Sequence, residues 1–263
     1  MLKKMIKLLS IVFFSSSIAT ALASNHTCSD IGLEQAYRPV EIEGITACFV
    51  YTETIPQYEG QLSRDPDGIS IYSVSKVEEP KRVYEFLYAG TKGKINDVFS
   101  LPIEGAHKKL FFVLHSIKKP RPWETVSDIY EVSVIRLQDG ALIHDQKLSR
   151  FFDWGGDFAD AQGRPTYIYP YKDKEAVVEA VRSPLFRIAH LSTPVEGVIQ
   201  EKSFLYNGDL EPSSRNKTKM YLIKGDRVTV KDVTAGWCKV LYAGKAKPIT
   251  MWAQCKTINF PKG

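Results

Sequence analysis

The segment at residues 224–245, KGDRVTVKDVTAGWCKVLYAGK, contains two short strand patterns separated by glycine turns. In the first pattern Val228 and Val230 alternate with polar residues, and in the second Val240 and Tyr242 occupy every other position. An apolar period of two between glycine turns is typical of antiparallel strands with one buried face. The C-terminal part of the chain is therefore predicted to be a small β structure.

Together with the later pair Met251-Trp252, this pattern closely resembles the bacterial SH3-like (SH3b) domain. In that family a Lys-Gly-Asp turn joins two strands, a Gly-Trp step begins a third, a Tyr-x-Gly-Lys turn follows, and the final strand opens on Trp. Here Gly236-Trp237 matches the step. The resemblance covers residues 198–263. It implies a small all-β SH3-like barrel that binds peptidoglycan or another envelope component and has no catalytic groups of its own.

The region before residue 198 has mostly strand patterns, rich in β-branched and aromatic residues. The predicted strands cover residues 47–51, 69–74, 83–88, 110–117, 129–137, 141–148 and 166–169. The pair Asp139-Gly140, between two of these strands, indicates a hairpin because it readily adopts the positive backbone angles of a primed turn.

A helix is predicted late in this region. It begins after Asp173, whose side chain is a good N-cap, and ends at Pro184, which cannot continue a helix. Antiparallel strands followed by a late helix predict an α+β fold. We therefore expect a signal peptide at residues 1–23, an α+β domain at 24–197 and the SH3-like barrel at 198–263.

The first residues have the features of an export signal. Three lysines and no acidic residue precede an apolar run at 8–14, and small residues at 21–23 suit a signal peptidase. The apolar run is shorter than the roughly 20 residues that cross a bilayer. We therefore expect cleavage before Ser24, a periplasmic mature protein and no transmembrane anchor after cleavage.

Four cysteines remain after that cleavage and fall into two near pairs. They allow three pairings, but the short spacing favours Cys28 with Cys48 and Cys238 with Cys255. An even number of cysteines is typical of a protein that is oxidised after secretion. Because no Cys-x-x-Cys occurs, no metal site is predicted, and no cofactor is expected.

Charge is distributed unevenly along the chain, which has a formal net charge of +5. Residues 201–263 contain twelve basic and five acidic residues, a local +7, whereas residues 24–200 contain twenty and twenty-five, a local −5. A basic C-terminal segment indicates an acidic protein or anionic envelope partner, docking on the acidic N-terminal part, or a solvated face. Nucleic acid is not expected for an exported protein. The candidate contact lysines are Lys217, Lys219, Lys245 and Lys247.

A basic loop is a further candidate contact site. It contains Lys118, Lys119, Arg121 and Trp123, and its two prolines favour an extended backbone. Arg and Trp are frequent in binding hot spots. The loop is therefore interpreted either as a contact site or as an ordinary hairpin connection.

A second loop, at residues 151–160, places Asp153, Trp154 and Asp157 beside two glycines. Its carboxylates are compatible with a calcium ion, with an acid and base pair for sugar hydrolysis, or with a protein contact. They are equally compatible with an aromatic-anchored loop in which aspartates cap their own backbone amides. The spacing of the aspartates does not match an EF-hand loop.

The sequence contains none of the common catalytic patterns. Its five histidines are scattered singly, and no His-x-x-x-His pair, Gly-x-Ser-x-Gly elbow or phosphate-binding glycine loop occurs. We therefore predict an exported, non-enzymatic binding protein of the Gram-negative cell envelope. Two alternatives stay open: a periplasmic immunity protein that neutralises an envelope-attacking toxin, and an envelope hydrolase that uses Asp153 and Asp157.

Overall fold

The computed structural model describes residues 26–54, 65–76, 78–103, 109–119, 125–208, 216–244 and 247–261. The predicted signal peptide at 1–23 and the candidate contact residues Arg121, Trp123 and Lys245 lie outside the described residues. The structure is mostly β, with 54% of the described residues in strands and 14% in helices. No helix in the described part of the chain is long and apolar enough to cross a membrane.

Two antiparallel sheets make up the first part of the chain. The first sheet consists, in spatial order, of β1 (Gln35–Ile42), β2 (Ile45–Thr54), β3 (Asp65–Val74) and β4 (Lys81–Glu85). The second consists of β5 (Gly93–Leu101), β6 (Leu110–Ile117), β7 (Ile129–Gln138) and β8 (Ala141–His144), with the short β9 (Trp154–Gly155) also paired to β7. Two further short strands, β10 (Phe158–Ala159) and β11 (Pro165–Tyr167), pair with each other.

Strand β6 is buried on both faces because alternate side chains belong to different cores. Phe111 and Val113 belong to the apolar cluster that includes the first sheet. Phe112 and Leu114 belong to the cluster that includes the later helices and strands. Successive side chains of a strand point to opposite faces, so β6 separates the two cores.

Three short helices follow the second sheet: α1 (Gln146–Phe152), α2 (Lys174–Arg182) and α3 (Phe186–Leu191). The helix predicted from Asp173 is confirmed, since the Ala176 N–H donates to Oδ1 of Asp173 at 2.9 Å. The strand predicted at 141–148 is correct only in its first half. β8 ends because Asp145 caps α1, accepting a hydrogen bond from the Leu148 N–H at 3.0 Å.

The remaining strands form one seven-stranded antiparallel sheet. In chain order they are β12 (Val195–Ile199), β13 (Ser203–Asn207), β14 (Asn216–Leu222), β15 (Arg227–Thr234), β16 (Trp237–Ala243), β17 (Pro248–Gln254) and β18 (Ile258–Asn259). The spatial order is β14-β13-β17-β16-β15-β12-β18. Strand β12 spans the predicted boundary at residue 198 and pairs with both β15 and β18.

Three hairpins in the described ranges turn through a pair of residues with positive φ, and one of them joins β1 to β2. Asp139 and Gly140, at φ 51° and 77°, join β7 to β8, which confirms the predicted hairpin. Ala235 and Gly236, at φ 48° and 74°, join β15 to β16. At Gly236 a Cβ atom would lie 2.8 Å from Cγ of Pro170, so this turn needs glycine for space as well as for its backbone angle.

The predicted fold class, an α+β N-terminal domain followed by a small all-β SH3-like barrel, is wrong. The structure instead consists of several antiparallel sheets and a curled half-barrel. The β15–β16 hairpin docks on earlier elements: the Ala235 N–H donates to the Phe151 carbonyl at 3.0 Å, and the Tyr167 hydroxyl donates to the Ala235 carbonyl at 2.5 Å. Trp237 stacks on Tyr167 with ring centroids 5.5 Å apart. Because of these contacts, one apolar core continues from the second sheet through the helices into the C-terminal sheet.

Both predicted disulfides are confirmed. Cys28–Cys48 joins a 3-10 turn at Cys28–Ile31 to β2, with Cα atoms 5.6 Å apart. Cys238–Cys255 joins β16 to the 3-10 turn that follows β17, with Cα atoms 5.1 Å apart. Structural disulfides persist in oxidising compartments outside the cytoplasm, so these pairs indicate that the protein resides in such a compartment.

Candidate functional site

Four side chains on and beside β13 and β14 form a cluster that we call the aromatic–lysine surface: Lys202, Phe204, Lys217 and Tyr221. The rings of Phe204 and Tyr221 meet edge to face with centroids 6.1 Å apart. The Lys217 ammonium lies 3.6 Å from the centroid of Phe204, and the Lys202 ammonium lies 4.2 Å from that of Tyr221. Cation–π attraction at these distances holds both charges against the rings.

Strand register explains why these residues meet. Phe204 and Tyr221 lie opposite each other in the β13–β14 pair, and cross-strand neighbours of this kind are in contact. The next paired residues are Tyr206 of β13 and Lys217 of β14. Between the two pairs the chain covers two residues on β13 but four on β14, so β14 bulges. The Thr218 hydroxyl stabilises the resulting bulge by donating to a carbonyl of β13 at 2.8 Å. The bulge brings Lys217 back beside Phe204.

The edge strand β14 also exposes apolar side chains. Met220 and Tyr221 on β14 are 43% and 50% exposed, and Ile223, immediately after the strand, is 56% exposed. Large exposed apolar side chains that are rimmed by charge are typical of interaction sites. The β14 edge therefore combines apolar contact area with positive charge.

The structure separates the predicted contact lysines. Lys217 belongs to the aromatic–lysine surface, and Lys219 is exposed on the same strand. Lys247 is exposed immediately before β17, five residues before Trp252, and is not on β14. The sequence did not single out Lys202, Phe204 or Tyr221; their clustering depends on strand register.

The aspartates of the 151–160 loop have partners within the protein. Oδ1 of Asp153 accepts from the Trp154 N–H at 3.0 Å, and Oδ2 accepts from the Thr234 hydroxyl at 2.9 Å. Oδ1 of Asp157 accepts from a backbone N–H at 3.0 Å, and Oδ2 accepts from Nζ of Lys172 at 2.5 Å. Trp154 is half-buried in a small apolar cluster. These contacts fasten the loop to β15 and to the segment before α2.

The described part of the basic loop consists of its first two residues. Lys118 and Lys119 are both exposed. The Thr91 hydroxyl donates to the Lys118 carbonyl at 2.5 Å, and the Lys119 N–H donates to Oδ1 of Asp128 at 3.1 Å. The backbone of this segment is therefore anchored, while both lysine side chains extend from the surface.

A buried polar network around Glu131 was missed by sequence reasoning. The Tyr84 hydroxyl donates to Oε1 of Glu131 at 2.6 Å, the Leu87 N–H donates to Oε2 at 2.9 Å, and the Ser133 hydroxyl donates to Oε1 at 3.1 Å. Nδ1 of His115 lies 3.5 Å from Oε2. The network joins β4 of the first sheet to β6 and β7 of the second.

The surroundings shift the ionisation of this network. Burial opposes the charge on Glu131, but the contacts from His115, Tyr84 and the Leu87 N–H together hold its pKa below the usual value. Burial, followed by the neighbouring Glu131 charge, raises the pKa of Tyr84. His144 stacks on Tyr84 with centroids 3.8 Å apart, and burial lowers its pKa. Glu131 therefore stays an ionised hydrogen-bond acceptor at neutral pH.

This network does not have the accessibility of a catalytic centre. Glu131 is 6% exposed and His115 is 2% exposed. A Cβ atom on Gly93 would lie 2.6 Å from Nε2 of His115, so the backbone of β5 closes over the imidazole. The arrangement holds the two sheets together. Both oxygens of the Glu131 carboxylate accept hydrogen bonds within it.

Within the described ranges, no cluster of three or more His, Cys, Asp or Glu side chains is placed to hold a metal ion. The comparisons with known proteins add no assignment, because no family model, curated protein or solved structure matches the chain. The resemblance of residues 198–263 to the SH3b family therefore stays a prediction.

Proposed function

We propose that this protein is an exported, non-catalytic binding protein of the Gram-negative periplasm that contacts an acidic protein through its aromatic–lysine surface. The observation that carries the proposal is the cluster of Lys202, Phe204, Lys217 and Tyr221 on the edge of the C-terminal sheet, in which Phe204 is half-buried and the other three are exposed. The two disulfides support an oxidising compartment, of which the periplasm is the proposed case.

Charge favours an acidic partner. Residues 201–263 carry a local charge of +7, and Lys202, Lys217 and Lys219 all lie at the β13–β14 edge. Positive surfaces steer acidic partners during encounter and select against basic ones. An acidic protein that meets this edge would gain both charge complementarity and contact with the exposed apolar groups.

The ring geometry favours a protein over a polysaccharide. Ammonium groups already lie against the rings of Phe204 and Tyr221, so the cluster presents fixed positive charge rather than two bare aromatic faces. Carboxylates of an acidic protein can hydrogen-bond to these ammonium groups without displacing them. Tyr221 and Ile223, which are half or more exposed, supply the apolar contact that a protein interface needs at its centre.

The test compares two double variants of the mature protein. Lys202→Ser/Lys217→Ser removes two charges from the aromatic–lysine surface. Lys94→Ser/Lys256→Ser removes two charges from exposed positions elsewhere and is the matched control. Each is used to capture proteins from a periplasmic extract, and the identified partner is then purified and titrated across a range of salt concentrations.

We expect the surface variant to bind an acidic protein partner about fivefold more weakly and with a smaller salt dependence, because each exposed charge pair contributes about 0.5 kcal/mol. The control variant should match the wild type. An equal loss of affinity in the surface variant and the control variant would contradict the assignment of the aromatic–lysine surface as the binding site. Binding to purified peptidoglycan instead of to a protein would contradict the assigned partner.

A further inference from the structure

A second potential site lies away from the aromatic–lysine surface and does not rest on the proposed function. An open cleft of about 560 Å³ is bordered by α1, α3 and β15. Its floor is formed by Phe151, Ile188 and Val233, which belong to the core. Its volume falls within the range of about 300–1,000 Å³ that is usual for small-molecule sites.

Positive charge predominates around this cleft. Of the described residues that line it, Lys147, Arg150 and Lys231 are basic and Asp232 is the one acid. The Arg150 guanidinium donates to Oδ2 of Asp232 at 2.9 Å, which joins α1 to β15. Nζ of Lys147 donates to the Ser192 hydroxyl at 2.9 Å. The cleft therefore has an excess of two positive charges.

The basic groups keep donors for a ligand. A guanidinium has five N–H donors and an ammonium has three, so Arg150 and Lys147 retain donors after the bonds described above. Lys231 is exposed, and its ammonium group makes no hydrogen bond or ion pair within the part of the chain that the structure describes. Hydrogen-bond donors from α1 and from β15 thus lie around the same apolar floor.

We propose that this cleft binds a small amphiphile with a single carboxylate or phosphate headgroup and a short apolar chain. The headgroup accepts hydrogen bonds from Lys147, Arg150 and Lys231, and charge-assisted bonds of this kind are the strong ones. The chain contacts Ala189, which is half-buried, and the small exposed parts of Ile188 and Val233. A neutral amphiphile lacks the first interaction, and a small anion such as acetate lacks the second.

The test uses the full mature protein labelled with ¹⁵N and four probes: decanoate, decyl phosphate, decanol and acetate. Each probe is titrated below its micelle concentration while amide chemical shifts are followed by NMR. We expect decanoate, decyl phosphate or both to shift the amides of Ala189 and Val233, which line the cleft. Decanol and acetate should produce much smaller shifts. Whichever of decanoate and decyl phosphate binds more tightly identifies the headgroup.

Two exposed lysines provide variants that should leave the fold intact. Lys147→Ser and Lys231→Ser should each weaken binding of the better anion about tenfold, since each removes one charge-assisted bond. Lys94→Ser, on β5, should leave it unchanged. The proposal is overturned if decanol binds as tightly as the anions or if neither anion shifts the cleft amides. Equal binding by the lysine variants and the wild type would also overturn it.

Discussion

Replacing Glu131 with glutamine should strongly destabilise the protein at neutral pH. The carboxylate accepts hydrogen bonds from Tyr84, Leu87 and Ser133, and Nδ1 of His115 lies 3.5 Å away. A glutamine has about the same shape but no charge. Its NH₂ group is a donor and would face one of the existing donors around the site.

The expected cost follows from the burial of the site. Glu131 is 6% exposed, so water cannot replace the lost interactions. Breaking a buried, hydrogen-bonded charge arrangement costs about 3–5 kcal/mol, and we expect Glu131→Gln to lower the free energy of unfolding by that amount. Tyr84→Phe removes one donor and leaves the charge, so it should cost about 1–2 kcal/mol.

The effect should also depend on pH. The pKa of Glu131 is lowered from its usual 4.5 in the folded protein, so the folded state favours the ionised form. This stabilisation is complete above pH 4.5 and is lost as the pH falls through the lower, folded-state pKa. Glutamine does not titrate. The difference in stability between the wild type and Glu131→Gln should therefore shrink progressively below pH 4.5.

Urea unfolding monitored by tryptophan fluorescence at pH 7 and at several acidic values measures these differences. Glu201→Gln, at an exposed position, is the matched control and should change stability by less than about 0.5 kcal/mol. A Glu131→Gln variant within about 1 kcal/mol of the wild type at pH 7 would refute the reasoning, because the expected cost of breaking the arrangement is several times larger. A difference that grows on acidification would refute it as well.

Other predictions concern the junction between the C-terminal sheet and the rest of the chain. Tyr167→Phe removes a buried hydrogen bond to the β15–β16 turn and should lower the free energy of unfolding by about 1–2 kcal/mol in urea. Gly236→Ala should cost more than Gly140→Ala, because both have positive φ but only Gly236 is crowded by a neighbouring side chain; differential scanning calorimetry of the pair checks the order. Opening the Cys238–Cys255 disulfide with a double Cys→Ser variant should cost about 3 kcal/mol, and an unchanged melting temperature would contradict this.

Short-range features of the fold were predictable from the sequence. Asp139-Gly140 identified a hairpin and Asp173 a helix start, because backbone angles and capping depend on a few neighbouring residues. The two near cysteine pairs identified the disulfides, since spacings of 20 and 17 residues favour local pairing. Helix α1 was missed because its first residues were assigned to the preceding strand, which was predicted to continue to Leu148, and Asp145 was not identified as an N-cap.

The candidate sites were less accessible to sequence reasoning. Lys217 and Lys219 were singled out by local charge, but Lys217 meets Phe204, and Lys202 meets Tyr221, only through the β13–β14 register. In the Glu131 network the Tyr84 hydroxyl comes from a residue 47 positions earlier in the chain. Nothing in the sequence around either residue indicates the other.

The sequence by itself determined the local elements: alternating strands, glycine turns, a capped helix and two disulfides. The tertiary structure decided how those elements share a core. The pattern at 224–245 predicts strands because alternating apolar residues indicate that one face of each strand is buried. The same pattern does not indicate which elements cover that face. The covering elements proved to be α1 and the segment around Tyr167, which contact Ala235 and Trp237. The resulting fold has one core that includes both the helices and the C-terminal sheet, and this depends on contacts between residues far apart in the chain.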